Sequence, residues 1–185
     1  RDVLGSRGLG DVYKRQFAER AGKIAIPCNY YSVNAFERER AVVAKVVAGG
    51  KLAYGYIGPD GREVIPCAYD EAMPFKFNNA WVGTEQEGEM SYQLIDAEGK
   101  VILPYSVLNL QDGGKFGQAA CAVRGDDGRL RYGILANSGR PILPFEYDEI
   151  TIFSEWNAAE NRWTEAGMAT RDGVQYSFDI SKRDE

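Results

Sequence analysis

Apolar and polar positions along this chain do not follow the 3.6-residue spacing of an amphipathic helix. They fall into short runs of Tyr, Ile, Val and Ala closed by Gly or Pro, as in strands separated by turns. One phrase is written three and a half times. It reads YGYIGPDGREVIP over Tyr54 to Pro66, YQLIDAEGKVILP over Tyr92 to Pro104 and YGILANSGRPILP over Tyr132 to Pro144, and a partial copy, AGKIAIP, ends at Pro27. The turn glycines Gly22, Gly61, Gly99 and Gly139 stand 39, 38 and 40 residues apart. A fixed period of this length marks a repeat architecture, in which no unit can bury its apolar face alone and each must stack on its neighbours.

Within the best copy, Leu52 to Ile57 is predicted as a strand, Gly58 to Gly61 as a Pro/Gly turn and Arg62 to Ile65 as the return strand. Pro66 has no N–H for a ladder, so the chain is expected to leave the sheet there. Ala68 to Phe75 then reads as a connector anchored by Tyr69 and Phe75, and Ala80 to Gly83 as a third strand. The order recurs downstream as Pro144, Tyr147, Phe153 and Ala166 to Thr170. Phe36 to Gly49 has enough Ala, Glu and Arg for a short helix, but alignment with Ala80 to Val82 and Ala120 to Val123 places Ala41 to Val43 on the third strand. The expectation is an all-β array of antiparallel hairpin repeats, three to four units, elongated or curved, each unit a hairpin plus a returning strand. The same period also fits β-propeller blades, which close a ring from four or more units.

Kept in register, the Tyr-Gly strand, Gly turn, Ile-Pro strand end, Tyr-Asp, Phe and Ala-x-Val resemble the WG repeat family over roughly residues 20 to 180. Tyr-Asp is replaced around Val107, which makes the second unit degenerate. The resemblance implies a bacterial β-repeat protein with an interaction role, and it brings no catalytic residue to this chain. The first sixteen residues, RDVLGSRGLGDVYKRQ, share nothing with the repeat and resemble translated adaptor sequence. Residues 1–16 are therefore set apart from a repeat domain over 17–180 and a polar tail, 181–185, and the native N-terminus is expected upstream.

Charge narrows the partner. The net −5 divides unevenly, with ten basic and five acidic side chains in residues 1–51 but twelve and twenty-two in 52–185. An acidic repeat body is a poor match for a phosphate backbone, so a protein partner is expected in place of nucleic acid. No apolar run approaches the ~20 residues of a membrane-spanning helix. Cys28, Cys67 and Cys121 are an odd and sparse set that does not read as a disulfide framework, and small buried thiols are expected.

The chain contains no histidine. Ser-His-Asp and Cys-His nucleophiles and imidazole zinc sites are excluded, and cysteines without CxxC spacing make no thiolate cluster. No cofactor or metal is expected. Gly113, Gly114 and Lys115 lack the spacing of a phosphate loop and read as a turn.

Three sets of side chains remain. Asp70 with Glu71, and Asp148 with Glu149, follow a tyrosine in both copies. They could do paired-carboxylate work on a glycoside, but repetition at one place in the unit reads as structural turn chemistry. Glu85, Glu87 and Glu89 share a loop position with Asp126 and Asp127 one repeat later, so stacking would bring both loops to one edge as a negative patch for a cationic partner. Thirteen steps separate Phe153 from Ala166, against five from Phe75 to Ala80, and the insertion carries Trp156 and Trp163. Insertions in repeats map to one face, often the binding face, which makes both tryptophans contact candidates; otherwise they cover the last unit. Trp81 and the strand tyrosines read as core or sheet surface. The leading expectation is a non-enzymatic binding scaffold, and the rival is a carbohydrate-active protein with a Trp platform and an acid pair.

Overall fold

A computed structural model describes residues 30–112 and 117–180. Residues 1–16, the partial copy with Gly22 and Pro27, Cys28, Gly113 to Lys115 and the tail 181–185 lie outside them. Fourteen strands form four antiparallel sheets, without an α-helix among the described residues. Two compact units divide between Tyr69 and Asp70. The first holds one sheet of β1 (Ser32–Val33), β2 (Ala41–Val46), β3 (Leu52–Ile57) and β4 (Glu63–Tyr69), paired in that order. The second unit holds three sheets, beginning with β5 (Glu71–Ala72), β6 (Ala80–Gln86) and β7 (Glu89–Ile95). Next come β8 (Leu108–Asp112), β9 (Ala119–Arg124), β10 (Leu130–Leu135) and β11 (Pro141–Tyr147), then β12 (Glu149–Asn157), β13 (Arg162–Arg171) and β14 (Val174–Asp179).

The sheets are out of phase with the written phrase. Each Ala-x-Val strand pairs with the Tyr strand that follows it: β2 with β3, β6 with β7 and β9 with β10, residue for residue. The third strand therefore belongs to the next sheet and not to the preceding hairpin, which corrects the expected unit. Short tips such as Glu87–Gly88 join these strands and make them antiparallel neighbours. The helix-like stretch is strand β2, as predicted, followed by a single 3-10 turn at Ala48–Gly50.

Pro66 does not end the return strand. Strand β4 runs through it to Tyr69, and β11 runs through Pro144 to Tyr147. Ile65 pairs with Tyr56 and Tyr69 with Tyr54, so the residues between them form a bulge, and the same slip separates Ile134↔Leu143 from Tyr132↔Tyr147. A proline on a bulged edge strand has no ladder bond to lose. Glu63 pins the first bulge: its Oε1 accepts the Cys67 N–H at 2.9 Å, and its Oε2 pairs with Lys45 Nζ, which stands 5.2 Å from the centre of the Tyr30 ring.

The bulge also explains the glycine of Tyr-Gly. A Cβ on Gly55 would lie 2.6 Å from Ile65 O and 2.7 Å from Cys67 N, and one on Gly133 would lie 2.9 Å from Leu143 O. The second copy has Gln93 at this position, and its return segment forms no continuous strand but keeps the register through the isolated bridges Ile95↔Val101 and Tyr92↔Val107 and a bond from Ile102 N to Leu94 O at 2.8 Å. The turns keep one form throughout: Gly58 to Arg62, Asp96 to Lys100 and Ala136 to Arg140 close with the same pair of backbone bonds. In them Gly61, Gly99 and Gly139 take φ of +75°, +82° and +83°, a left-handed position open to glycine at little cost.

Burial accounts for the missing alternation. In the second unit Ala119 and Cys121 of β9 join Trp81, Leu94, Leu103, Val107 and Leu135 in one cluster, while Ala120 joins Ile134, Leu143, Ile150, Ile152, Ala169 and Ile180 in another. Strand β9 is thus packed on both faces, as stacked sheets require, and reads as an unbroken apolar run. In the first unit Ala41, Val42, Val43 and Ala44 are likewise all buried, with Tyr30, Ala41, Val43 and Ile57 clustered on one face of the sheet.

Candidate functional site

The Tyr-Asp carboxylates are engaged by backbone. Asp70 N donates to Gly83 O at 2.9 Å, and its Oδ2 accepts the Glu85 N–H at 2.8 Å. Asp148 repeats the clamp, donating to Thr170 O at 2.8 Å and accepting from Asp172 N at 2.9 Å. The aspartate thus closes the end of the facing strand, not its own turn, at a point where the last N–H would otherwise have no partner. Tyr31 holds this place in the first unit and supplies only the backbone bond, to Ala44 O at 2.8 Å. Glu71 Oε2 accepts the Tyr92 hydroxyl at 2.8 Å; burial first, and then this carboxylate, push the phenol up to about 12. Glu149 is exposed and pairs across the ladder with Thr170. Within the Asp70–Glu71 pair, each carboxylate faces a different group.

The acidic loops do meet at one edge of the second unit. Arg124 Nη2 lies 2.5 Å from Glu89 Oε1, which joins the tip of β9–β10 to that of β6–β7. Asp127 Oδ1 accepts the Arg129 N–H at 3.0 Å, and its Oδ2 stands 3.3 Å from Arg131 Nη2. Arginines thus pair with Glu89 and Asp127, so part of the charge on this edge, which also carries Glu85, Glu87 and Asp126, is balanced. Among the described residues no group of three or more Cys, Asp or Glu is placed to hold a metal ion.

The insertion is a lengthened hairpin. Strands β12 and β13 pair continuously from Glu149↔Thr170 to Asn157↔Arg162, and the register sets Trp156 opposite Trp163. Asn157 Oδ1 closes the turn by accepting the N–H groups of Ala159 and Glu160, each at 3.1 Å. Ile150 and Ile152 enter the core, while Trp156 is 49% exposed. The side chain of Trp163 lies outside the described structure. Phe153 does not anchor as Phe75 does: Phe75 is 2% exposed and Phe153 is 40% exposed. After Ala72 the chain leaves strand β5 and carries Phe75 inward, whereas β12 continues straight and Phe153, paired with Ala166, stays on the outward face with exposed Met168. Of the two places open to Trp81, core and sheet surface, the structure selects the core.

Sequence reasoning missed a cleft at the other end of these strands. Its volume is about 500 Å³, and Phe77, Asn78 and Asn79 line it from one turn, Asn137, Ser138 and Arg140 from another. Asn79 Nδ2 donates to Asn137 O at 2.7 Å, and Asn137 Nδ2 returns a bond to Lys76 O at 2.6 Å, locking the turns together. The signal was available in the alignment of copies, since Asn137 stands where the other turns have Pro59 and Ala97.

Stretches 17–45, 54–86 and 132–159 match the family model described as WG containing repeat. The unmatched copy between them is the one with Gln93 and without Tyr-Asp. No curated protein and no solved structure matches the chain.

Proposed function

The chain belongs to the WG repeat family, and we propose that it is a non-enzymatic scaffold that docks a protein partner on the β12–β13 arm. One observation carries this reading: the arm is longer than the other hairpins of the described repeat and presents Trp156, Phe153 and Met168 to solvent. Large aromatic and Met side chains are the anchors of protein interfaces, and leaving them exposed is costly without a partner. The engagement of the Tyr-Asp carboxylates by backbone favours this reading over a glycoside-cleaving acid pair.

The test is to crosslink partners to the full chain, identify the dominant one and measure its affinity for wild type, Trp156→Ala and Phe153→Ala. Each substitution is expected to weaken binding by about tenfold or more, the loss of an interface anchor. Unchanged affinity in both variants removes the arm from the proposal.

A further inference from the structure

Independently of the arm, we propose that strand β14 is an association edge for a second copy of this chain, β14 pairing with β14 in antiparallel register about a two-fold axis. Aligning the copies through their sheets makes β14 the fourth Tyr strand. Ala41, Ala80, Ala119 and Ala166 pair with Ile57, Ile95, Leu135 and Asp179, so Tyr176, Ser177 and Phe178 stand where the other strands have Tyr54, Gly55 and Tyr56, or Tyr132, Gly133 and Ile134. Tyr56, Leu94 and Ile134 are fully buried, and a return segment runs beside each: Ile65 pairs with Tyr56, Leu143 pairs with Ile134, and Ile102 N bonds Leu94 O. Phe178 is only partly buried and has no return segment beside it among the described residues, while Val174 and Tyr176 on the same face are 53% and 48% exposed.

The backbone of this edge is open as well. Ile180 N bonds Glu165 O at 2.9 Å, and bonding alternates along an antiparallel pair, so the N–H and C=O groups of Gln175 and Ser177 point away from β13. The other sheet edges are blunted. Strands β1 and β5 have two residues each, β4 and β11 carry Pro66 and Pro144 on bulges, the register of β8 is broken, β7 is bridged by Val101 and Val107, and Ile152 O on β12 accepts Gln111 Nε2 at 3.1 Å. Strand β14 has six residues, neither proline nor bulge, and no charge from Val174 to Phe178. An unguarded edge of this kind is a template for another strand.

Its side chains select the occupant. A bulged return strand such as β4 needs glycine at the position of Gly55, where a Cβ would lie 2.6 Å from Ile65 O, and β14 has Ser177 there. A straight strand makes no such demand. Centring the two-fold axis on Tyr176 sets that ring against its symmetry mate, Gln175 against Ser177 and Val174 against Phe178 of the second copy. Gln175 and Ser177 then exchange both backbone bonds, the exposed apolar side chains cover one another, and no like charges face each other. Closed two-fold dimers are the commonest assembly of identical chains.

Sedimentation velocity of the full chain at about 100 μM, above the micromolar range of weak interfaces, should show a species of twice the chain mass. Ser177→Pro removes the outward N–H and Ser177→Lys puts a charge on the edge, and each should raise the dissociation constant by about tenfold or more. Ser177 is exposed, so far-UV circular dichroism of both variants should match wild type; if proline disturbs the fold, the lysine variant decides. In a Cys28→Ser background Tyr176→Cys should oxidise to a disulfide dimer, because facing residues of a non-hydrogen-bonded pair stand about 4.5 Å apart at Cα, whereas Thr151→Cys on β12 should not. A monomer at that concentration overturns the proposal, as does a dimer that survives Ser177→Lys, fails to crosslink through Tyr176→Cys or is lost on Trp156→Ala instead.

Discussion

Replacing Gly55 with alanine tests the bulge that defines this repeat. The new methyl would meet Ile65 O at 2.6 Å and both Cys67 N and Pro66 C at 2.7 Å, all backbone atoms that cannot rotate away. To reach an ordinary carbon contact of about 3.5 Å, the return strand must retreat by close to 1 Å. That movement strains the Glu63–Cys67 bond that pins the bulge. Overpacking of this kind costs roughly 1 to 3 kcal/mol, which for a chain of this size lowers the melting temperature by about 2 to 4 °C per kcal/mol. We expect a drop of about 2 to 12 °C in scanning calorimetry, with hydrogen-exchange protection lost first along β4. Gly88→Ala is the control, because that residue has φ +83° but no atom within 4 Å of the added methyl. Its cost is the backbone penalty alone, about 1 kcal/mol. If Gly55→Ala melts within 1 °C of wild type with β4 still protected, or if Gly88→Ala costs as much, the close-approach argument is wrong.

Asp148→Ala removes the carboxylate that accepts the Asp172 N–H at 2.9 Å, and it should cost about 1 kcal/mol, with faster exchange of the β13–β14 turn amides in deuterium labelling. An unchanged exchange rate at Asp172 refutes the clamp. Burial pushes the Cys67 thiol up to about 11 and the Cys121 thiol up to about 12 from an ordinary value near 9. In a Cys28→Ser background both should therefore react with a disulfide reagent at pH 8 more than about a hundredfold slower than a free thiol, and rapid labelling of either would contradict their burial. The same shifts set an alkaline limit. The folded chain keeps protons that the unfolded chain releases, so stability is present below about pH 9 and falls as pH rises toward 11, where a flat melting temperature would count against the buried thiols.

The comparison of copies carried the reading of the fold a long way. Turn chemistry is local: the bonds that close Gly58 to Arg62 and Ala136 to Arg140 lie within five residues, so Pro, Asp and Gly at set offsets announce them. Pro66 and Phe153 misled because their roles depend on what lies beside them. A proline that would end a central strand is tolerated on a bulged edge, and an aromatic in an anchoring position turns outward when its strand runs on without a break. Arg124 and Arg131, which pair with Glu89 and Asp127 of the acidic loops, sit in strands whose pairing the phrase does not spell out.

The sequence by itself determined the forty-residue period, the glycine turns, the strand composition and the absence of imidazole chemistry, because each is a property of short segments or of composition. Tertiary structure decided which strands share a sheet, why Gly55 and Gly133 admit no side chain, and how Asn79 and Asn137, 58 residues apart, come to lock two turns around a cleft. Those outcomes rest on strand pairing and, in the second unit, on turns from separate copies that meet, at distances that no local pattern encodes.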